Sequence, residues 1–355
     1  MLPRLLKTAL ATACLGLSLG AQALPVIDLG VAGGYSGFFF GDVGAAADVE
    51  GRLAVGGNLR SGFDIGYRNA HGSLEPALVV RGNVSLTSAW GGYSGTIYNG
   101  PNSALDTNAS IGPSSAGWLQ GQAQLGTVVY GGELKAQNVP QVNAWNPPTQ
   151  FAQAVRDANR VDFDGARQSL SSLSQTLAGQ GGNGQVRRES GALVLVGDGQ
   201  SDLQVFDLGD LGQIGNIELR NVKAGAHVVI NSGASRVDFS GFLGGDRADS
   251  KDPLAQLRDR LLFNLYNARA VDVSSFLNGS VLAVGAAVTG SGHLEGTLIA
   301  DSLGLSPNGS KLELGYETFR PFGPGGQVPE PSMLALMGLA ALAGWSAHRR
   351  QTRRR

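Results

Sequence analysis

Three histidines, His71, His227 and His293, stand far apart in the body of the chain and match no metal-ligand spacing such as H-E-x-x-H. A strand or turn role is expected for each. The chain has no G-x-S-x-G elbow and no P-loop, so serine hydrolysis on an α/β fold and P-loop nucleotide chemistry have no support. Carboxylates offer more. Asp42, Asp48 and Glu50 share one early block, Asp198 and Asp202 flank Gly-Gln-Ser, and Asp207 and Asp210 flank Leu-Gly. Such groups bind Ca²⁺ through oxygen, or cleave glycosidic bonds where two converge on one groove. None has the spacing of an EF-hand loop. Asp beside Gly and Ser more often bonds its own turn. The expectation is no catalytic residue, no cofactor and no metal, with Ca²⁺ as the alternative.

Trp90, Tyr93, Tyr98 and Trp118 lie in a Gly/Ser/Asn-rich stretch and are of the type that stacks on sugar rings, although anchoring of loops is their plainer role. Gly179 to Gly184 (GQGGNG) matches G-x-G-x-x-G in form. It follows a helical pattern instead of a strand, so a loop is expected there.

These residues must be carried by β structure. Glycine is abundant, at 54 of 355 residues, yet 42% of the chain is hydrophobic, which suits many short strands between small turns. From Val49 to Val55 apolar and polar residues alternate, and Gly56-Gly57-Asn58 turns the chain. Further strands are expected at 77–80, 84–86, 127–130, 191–196, 203–206, 214–219, 227–230, 237–239, 270–273, 280–284, 290–300 and 311–316. Between Phe151 and Ala178 the pattern changes, with Phe163, Ala166, Leu170, Leu173 and Leu177 at helical spacing, so a helical segment over about 149–178 is expected to pack on the sheet. Strands every 15 to 20 residues point to a right-handed parallel β-helix with a flanking α-helix, and a β-sandwich is the alternative.

Both ends carry addresses. Arg4 and Lys7, an apolar run from Ala9 to Leu19 and Ala21-Gln22-Ala23 form a secretory leader, cut between Ala23 and Leu24. The single cysteine, Cys14, lies within it, so no disulfide is expected. At the other end Val328-Pro329-Glu330-Pro331 precedes an apolar segment over 332–347, then Arg349, Arg350, Arg353, Arg354 and Arg355. An uncharged segment followed by arginines is held in the inner membrane with the arginines in the cytoplasm. Removing the leader and the segment after Pro331 leaves 20 Lys+Arg against 28 Asp+Glu, and that acidic balance argues against nucleic acid.

The Pro-Glu-Pro signature, apolar helix and arginine cluster together resemble the PEP-CTERM sorting signal, which implies cleavage by an exosortase in an exopolysaccharide-producing Gram-negative bacterium. Gly41-Asp42-Val43, Asp48 to Asn58 and Gly296-Thr297-Leu298-Ile299-Ala300 resemble the choice-of-anchor A family of adhesive domains. That resemblance implies surface display and adhesion, with no chemistry attached. Ice or crystal-surface binding commonly uses rows of Thr-x-Thr, and the chain has none.

The expected organisation is a signal peptide (1–23), a β-rich adhesive domain (24–322), a Pro/Gly linker with the PEP motif (323–331), a transmembrane segment (332–347) and a basic tail (348–355). The expected partners are the Sec machinery and signal peptidase, the exosortase, and exopolysaccharide. The expected route is export, transient anchoring at the inner membrane, then the cell surface or extracellular matrix. An enzyme acting on the polysaccharide, a lyase or glycosidase, is the competing function.

Overall fold

Leu53–Val55 and Leu78–Val80 are apolar at every position, and the structure buries them on both faces, as strands inside a parallel sheet require. The computed structural model describes residues 25–70, 73–88, 92–100, 124–138, 149–245 and 251–323. The leader, the PEP motif, the segment 332–347, the arginine cluster, His71, Trp90 and Trp118 lie outside the described residues. No helix among the described residues is long and apolar enough to cross a membrane.

The order of strands explains how distant residues meet. Gly37–Phe39 lies in the middle of the largest sheet. From there the chain steps outward in parallel through Leu53–Val55, Leu78–Val80, Thr127–Tyr130 and Gln153–Arg156. A helix, α1 (Phe163–Ala178), follows. The chain then pairs in parallel through Leu203–Asp207, His227–Ser232, Leu261–Leu265, Ser280–Gly290 and Leu298–Leu303. Leu298–Leu303 closes on Gly37–Phe39, so early and late sequence share a seam.

Two further rows of parallel pairing accompany this one. The second joins Val43 to Leu59 and Leu303, and contains Gln213–Gly215, Arg236–Ser240 and Ala270–Val273. The third joins Val49 to Ile65 and Leu314, and contains Phe276–Asn278, His293–Glu295 and Glu313–Leu314. The fold is therefore mainly β with a large, wholly parallel sheet, unlike the antiparallel pairing of a sandwich.

Inward residues of all three rows, among them Phe39, Val43, Val49, Leu294 and Leu314, form one apolar cluster. The other face of the first row is covered by α1, where Phe163, Leu170 and Leu177 meet Phe38, Leu262, Leu282 and Ile299. The helix is shorter than the expected 149–178 because its apolar repeat starts only at Phe163. Upstream, Gln153–Arg156 is a strand paired with Thr127–Tyr130. Asp162 then caps α1 by accepting the Gly165 N–H at 2.9 Å. Leu261–Leu265 and a short helix, α2 (Pro253–Leu257), were not expected from the pattern. Short, mostly apolar runs such as LLFNL and PLAQL have no clear period that separates strand from helix.

A polar ladder ties α1 to the sheet. Asn264 Nδ2 donates to Ser174 O at 2.9 Å and Asn231 Oδ1 at 2.8 Å, and its Oδ1 accepts from Ser174 Oγ at 2.6 Å. Asn231 Nδ2 donates to Leu177 O at 2.8 Å. Asn264→Ala removes three bonds in a fully buried place and is expected to cost about 2–3 kcal/mol. Urea unfolding checks it. A loss below about 0.5 kcal/mol would show that the ladder does not hold the helix.

Candidate functional site

The register of the third row gathers the charged residues. Val49, Leu314, Leu294 and Leu277 point inward in successive strands, so the residues flanking them point to the opposite face. On one side these are Asp48, Glu313, His293 and Phe276; on the other, Glu50, Gly315, Glu295 and Asn278. Gly315 has no side chain, and a Cβ there would stand 2.2 Å from Glu295 Oε2, so glycine gives Glu295 its place beside Glu50. This is the seam between early and late sequence.

Arg68 and Arg258 cover the cluster, both buried. Arg68 Nη1 donates to Glu50 Oε2 and lies 3.8 Å from Glu295 Oε1, while its guanidinium stands 5.6 Å over the Tyr316 ring. Arg258 Nη1 lies 3.6 Å from Glu295 and 3.5 Å from Glu317. The His293 ring stacks on Phe276 at 4.9 Å and faces a carboxylate at each nitrogen, Glu295 and Glu313, both at 3.1 Å. Tyr67 Oη lies 3.2 Å from both Asp48 Oδ1 and Glu50 Oε1.

Burial and crowding set the charges. Burial, aided by Glu313 and Glu50, pushes the Asp48 carboxyl up to about 8. Burial also raises Glu50, to about 7, against the pull of Arg68. Burial opposes a charged His293, yet Glu295 and Glu313 outweigh it and hold the ring's pKa at about 10. Glu295 stays ionised despite its burial because His293 bonds it, and burial together with Glu295 pushes Glu317 up.

Oxygen and nitrogen atoms of Glu50, His293 and Glu295 lie within 4.8 Å of one another, the spread of a three-ligand metal centre. Within the fold these donors are turned on one another: the two His293 nitrogens face Glu295 and Glu313, and Arg68 bonds Glu50. The arrangement is a self-neutralising ionic seam.

The other carboxylates bond their own turn or a neighbouring strand's loop. Asp198 accepts from Gln200 N–H, Ser201 N–H and Ser201 Oγ. Asp42 accepts from Asn58 and Arg60, Asp202 from Lys223, and Asp207 from Gly209 N–H. His227 Nε2 lies 2.9 Å from Arg320 O against Phe319 and Phe322, a packing role. Tyr98, a candidate for sugar stacking, is 2% exposed and packs edge-on to Tyr67, so its ring is not available. The expectation for His293 as an ordinary strand residue missed its two carboxylate neighbours. The available signal was the repeated pattern Asp48-Val49-Glu50, His293-Leu294-Glu295 and Glu313-Leu314-Gly315, each with its apolar middle turned inward.

The chain is thus a parallel β-rich domain whose buried charges pair with one another. A family profile described as "Putative Ice-binding-like adhesive domain" matches residues 28–313, and the chain belongs to that family. The PEP-CTERM protein-sorting motif matches residues 327–350. Together they mark an exported, surface-directed protein processed by an exosortase. No curated protein and no solved structure matches the chain.

Proposed function

We propose that this protein is an adhesin or structural component of the cell surface or extracellular matrix, associated with exopolysaccharide. It is held at the inner membrane by its C-terminal segment until an exosortase cuts near Pro329-Glu330-Pro331. The sorting motif directly following an adhesive-family domain carries this reading. We further infer that the three parallel rows wind as one β-helix, right-handed as parallel crossovers nearly always are. An experimental structure with an open sheet would overturn that winding.

Intact mass of the protein recovered from membranes and from medium or matrix tests the sorting. The expected species begins at Leu24 and ends near Pro331, and keeps its C-terminal segment when the exosortase is deleted. A wild-type species that retains the segment permanently makes this a tail-anchored periplasmic protein.

One observation favours a second reading, an enzyme on the same polysaccharide. Glu317 lines a cleft, its carboxyl is raised, and Glu295 lies beside it. Polysaccharide cleavage that disappears in Glu317→Gln would establish catalysis; binding without cleavage leaves the adhesive reading in place.

A further inference from the structure

A cleft of about 230 Å³ opens beside the ionic seam, with Ser36, Gly51, Arg52, Asn69, Tyr316 and Glu317 in its lining. Ser36 Oγ and Asn69 Nδ2 are buried without any hydrogen-bond partner in the fold. A buried polar atom left unpaired is destabilising, so two around one cleft mark a place where something from outside completes the bonding. Arg52 supplies a charge. It is half-buried and its guanidinium makes no ion pair among the described residues. Its backbone oxygen accepts the Ser36 N–H at 2.9 Å, which fixes the two residues side by side.

The floor is kept open by glycine. A Cβ on Gly51 would stand 2.3 Å from Ser36 Oγ and 3.5 Å from the Tyr316 ring. Any other residue there would clash with the hydroxyl and narrow the gap to the ring.

The lining selects a ligand chemistry. A guanidinium, an amide N–H and a hydroxyl call for a carboxylate with oxygens beside it. The Tyr316 ring offers an apolar wall of the kind a sugar face uses. The cleft is smaller than the roughly 300–1,000 Å³ of a drug-sized site, so it suits one ring and not a chain of them. Glu317 is the one acidic group in that lining, and burial beside Glu295 favours its neutral form, which lessens its repulsion of an anion.

We propose that this cleft binds a single acidic sugar residue, with Arg52 on the carboxylate, Asn69 and Ser36 on neighbouring oxygens, and Tyr316 against the ring. The proposal deepens the adhesive reading and rests on it for the source of the sugar. A free small carboxylate shares part of this chemistry, so the test separates the two.

The full chain is titrated with galacturonate, galactose and acetate, followed by calorimetry. Galacturonate is expected to bind at least tenfold more tightly than either of the others. Arg52→Gln is expected to weaken galacturonate at least tenfold, about 1.4 kcal/mol, with galactose and the unfolding midpoint unchanged, and Arg52→Lys to recover part of the loss. Equal binding of galacturonate and acetate, equal binding of galacturonate and galactose, or no effect of Arg52→Gln overturns the assignment. Co-sedimentation with acidic exopolysaccharide tests the adhesive reading by itself. Wild type and Arg52→Gln sedimenting alike, while galacturonate fails to bind, removes the cleft and leaves adhesion standing. Galacturonate saturating a protein that never sediments does the reverse.

Discussion

Arg68→Met is expected to destabilise the domain by about 3 kcal/mol at neutral pH, measured as a lowered denaturation midpoint at unchanged m-value. Arg68 and Glu50 have side chains only 8% and 1% exposed. Methionine replaces much of the arginine's volume, so the cavity is small and the loss is chiefly electrostatic. What remains is a Glu50 carboxylate with Tyr67 as its neighbour and no cation in contact, a buried charge that must either stay unpaired or take up a proton. Glu295 loses one of its three cations, and the Tyr316 ring loses the guanidinium above it. The exposed pair Arg60–Asp42 is the control. There the side chains are 64% and 36% exposed, and Arg60→Met should cost less than about 1 kcal/mol. The double variant Arg68→Met with Glu50→Gln should recover much of the loss, because no unpaired charge is left behind. Equal effects of Arg68→Met and Arg60→Met would mean that the seam is not held by its charges.

The strands that the sequence made legible are those with local signals. Thr127–Tyr130, Ala270–Val273 and the start of Ser280–Gly290 are short, largely apolar or alternating runs between turn residues, and each is a strand. The helix was legible from Phe163 onward because its burial is written in a +3/+4 repeat. Leu261–Leu265 was hidden because both of its faces are covered, one by the core and one by α1. The ionic seam was hidden for a different reason. Asp48 and Glu313 are adjacent only because the last strands return to pair with the first, and nothing local in either segment states that register. Asp42, Asp48 and Glu50 look alike as acidic residues of one block. One bonds a turn, and the other two belong to the buried seam.

Stability of the domain is expected to be greatest near about pH 5 and to fall by at least about 2 kcal/mol by pH 8. Tyr67 gives the reason in geometry. Its hydroxyl lies 3.2 Å from a carboxylate oxygen of both Asp48 and Glu50, but it has one proton to donate. Glu50 is paired with Arg68, so the consistent arrangement has Asp48 protonated and donating to Tyr67, which donates onward to Glu50. The sign follows. Asp48 holds its proton to about 8 in the fold against an ordinary 3.8, and Glu50 to about 7 against 4.5. Between those limits the folded state carries protons that the unfolded chain has released, so raising the pH favours unfolding. His293 acts in the same direction at higher pH, since its proton is held from 6.5 up to about 10. Glu295 acts oppositely, being ionised in the fold below its ordinary 4.5, and its contribution is lost as the pH falls through that range. These opposing slopes leave the maximum on the mildly acid side. Asp48→Asn keeps the shape and offers Tyr67 an N–H in place of the carboxyl proton, so it should flatten the decline between about pH 5 and 8. A variant as pH-sensitive as the parent would move the proton to another group, and stability that rises from pH 5 to pH 8 would show that the seam is fully ionised.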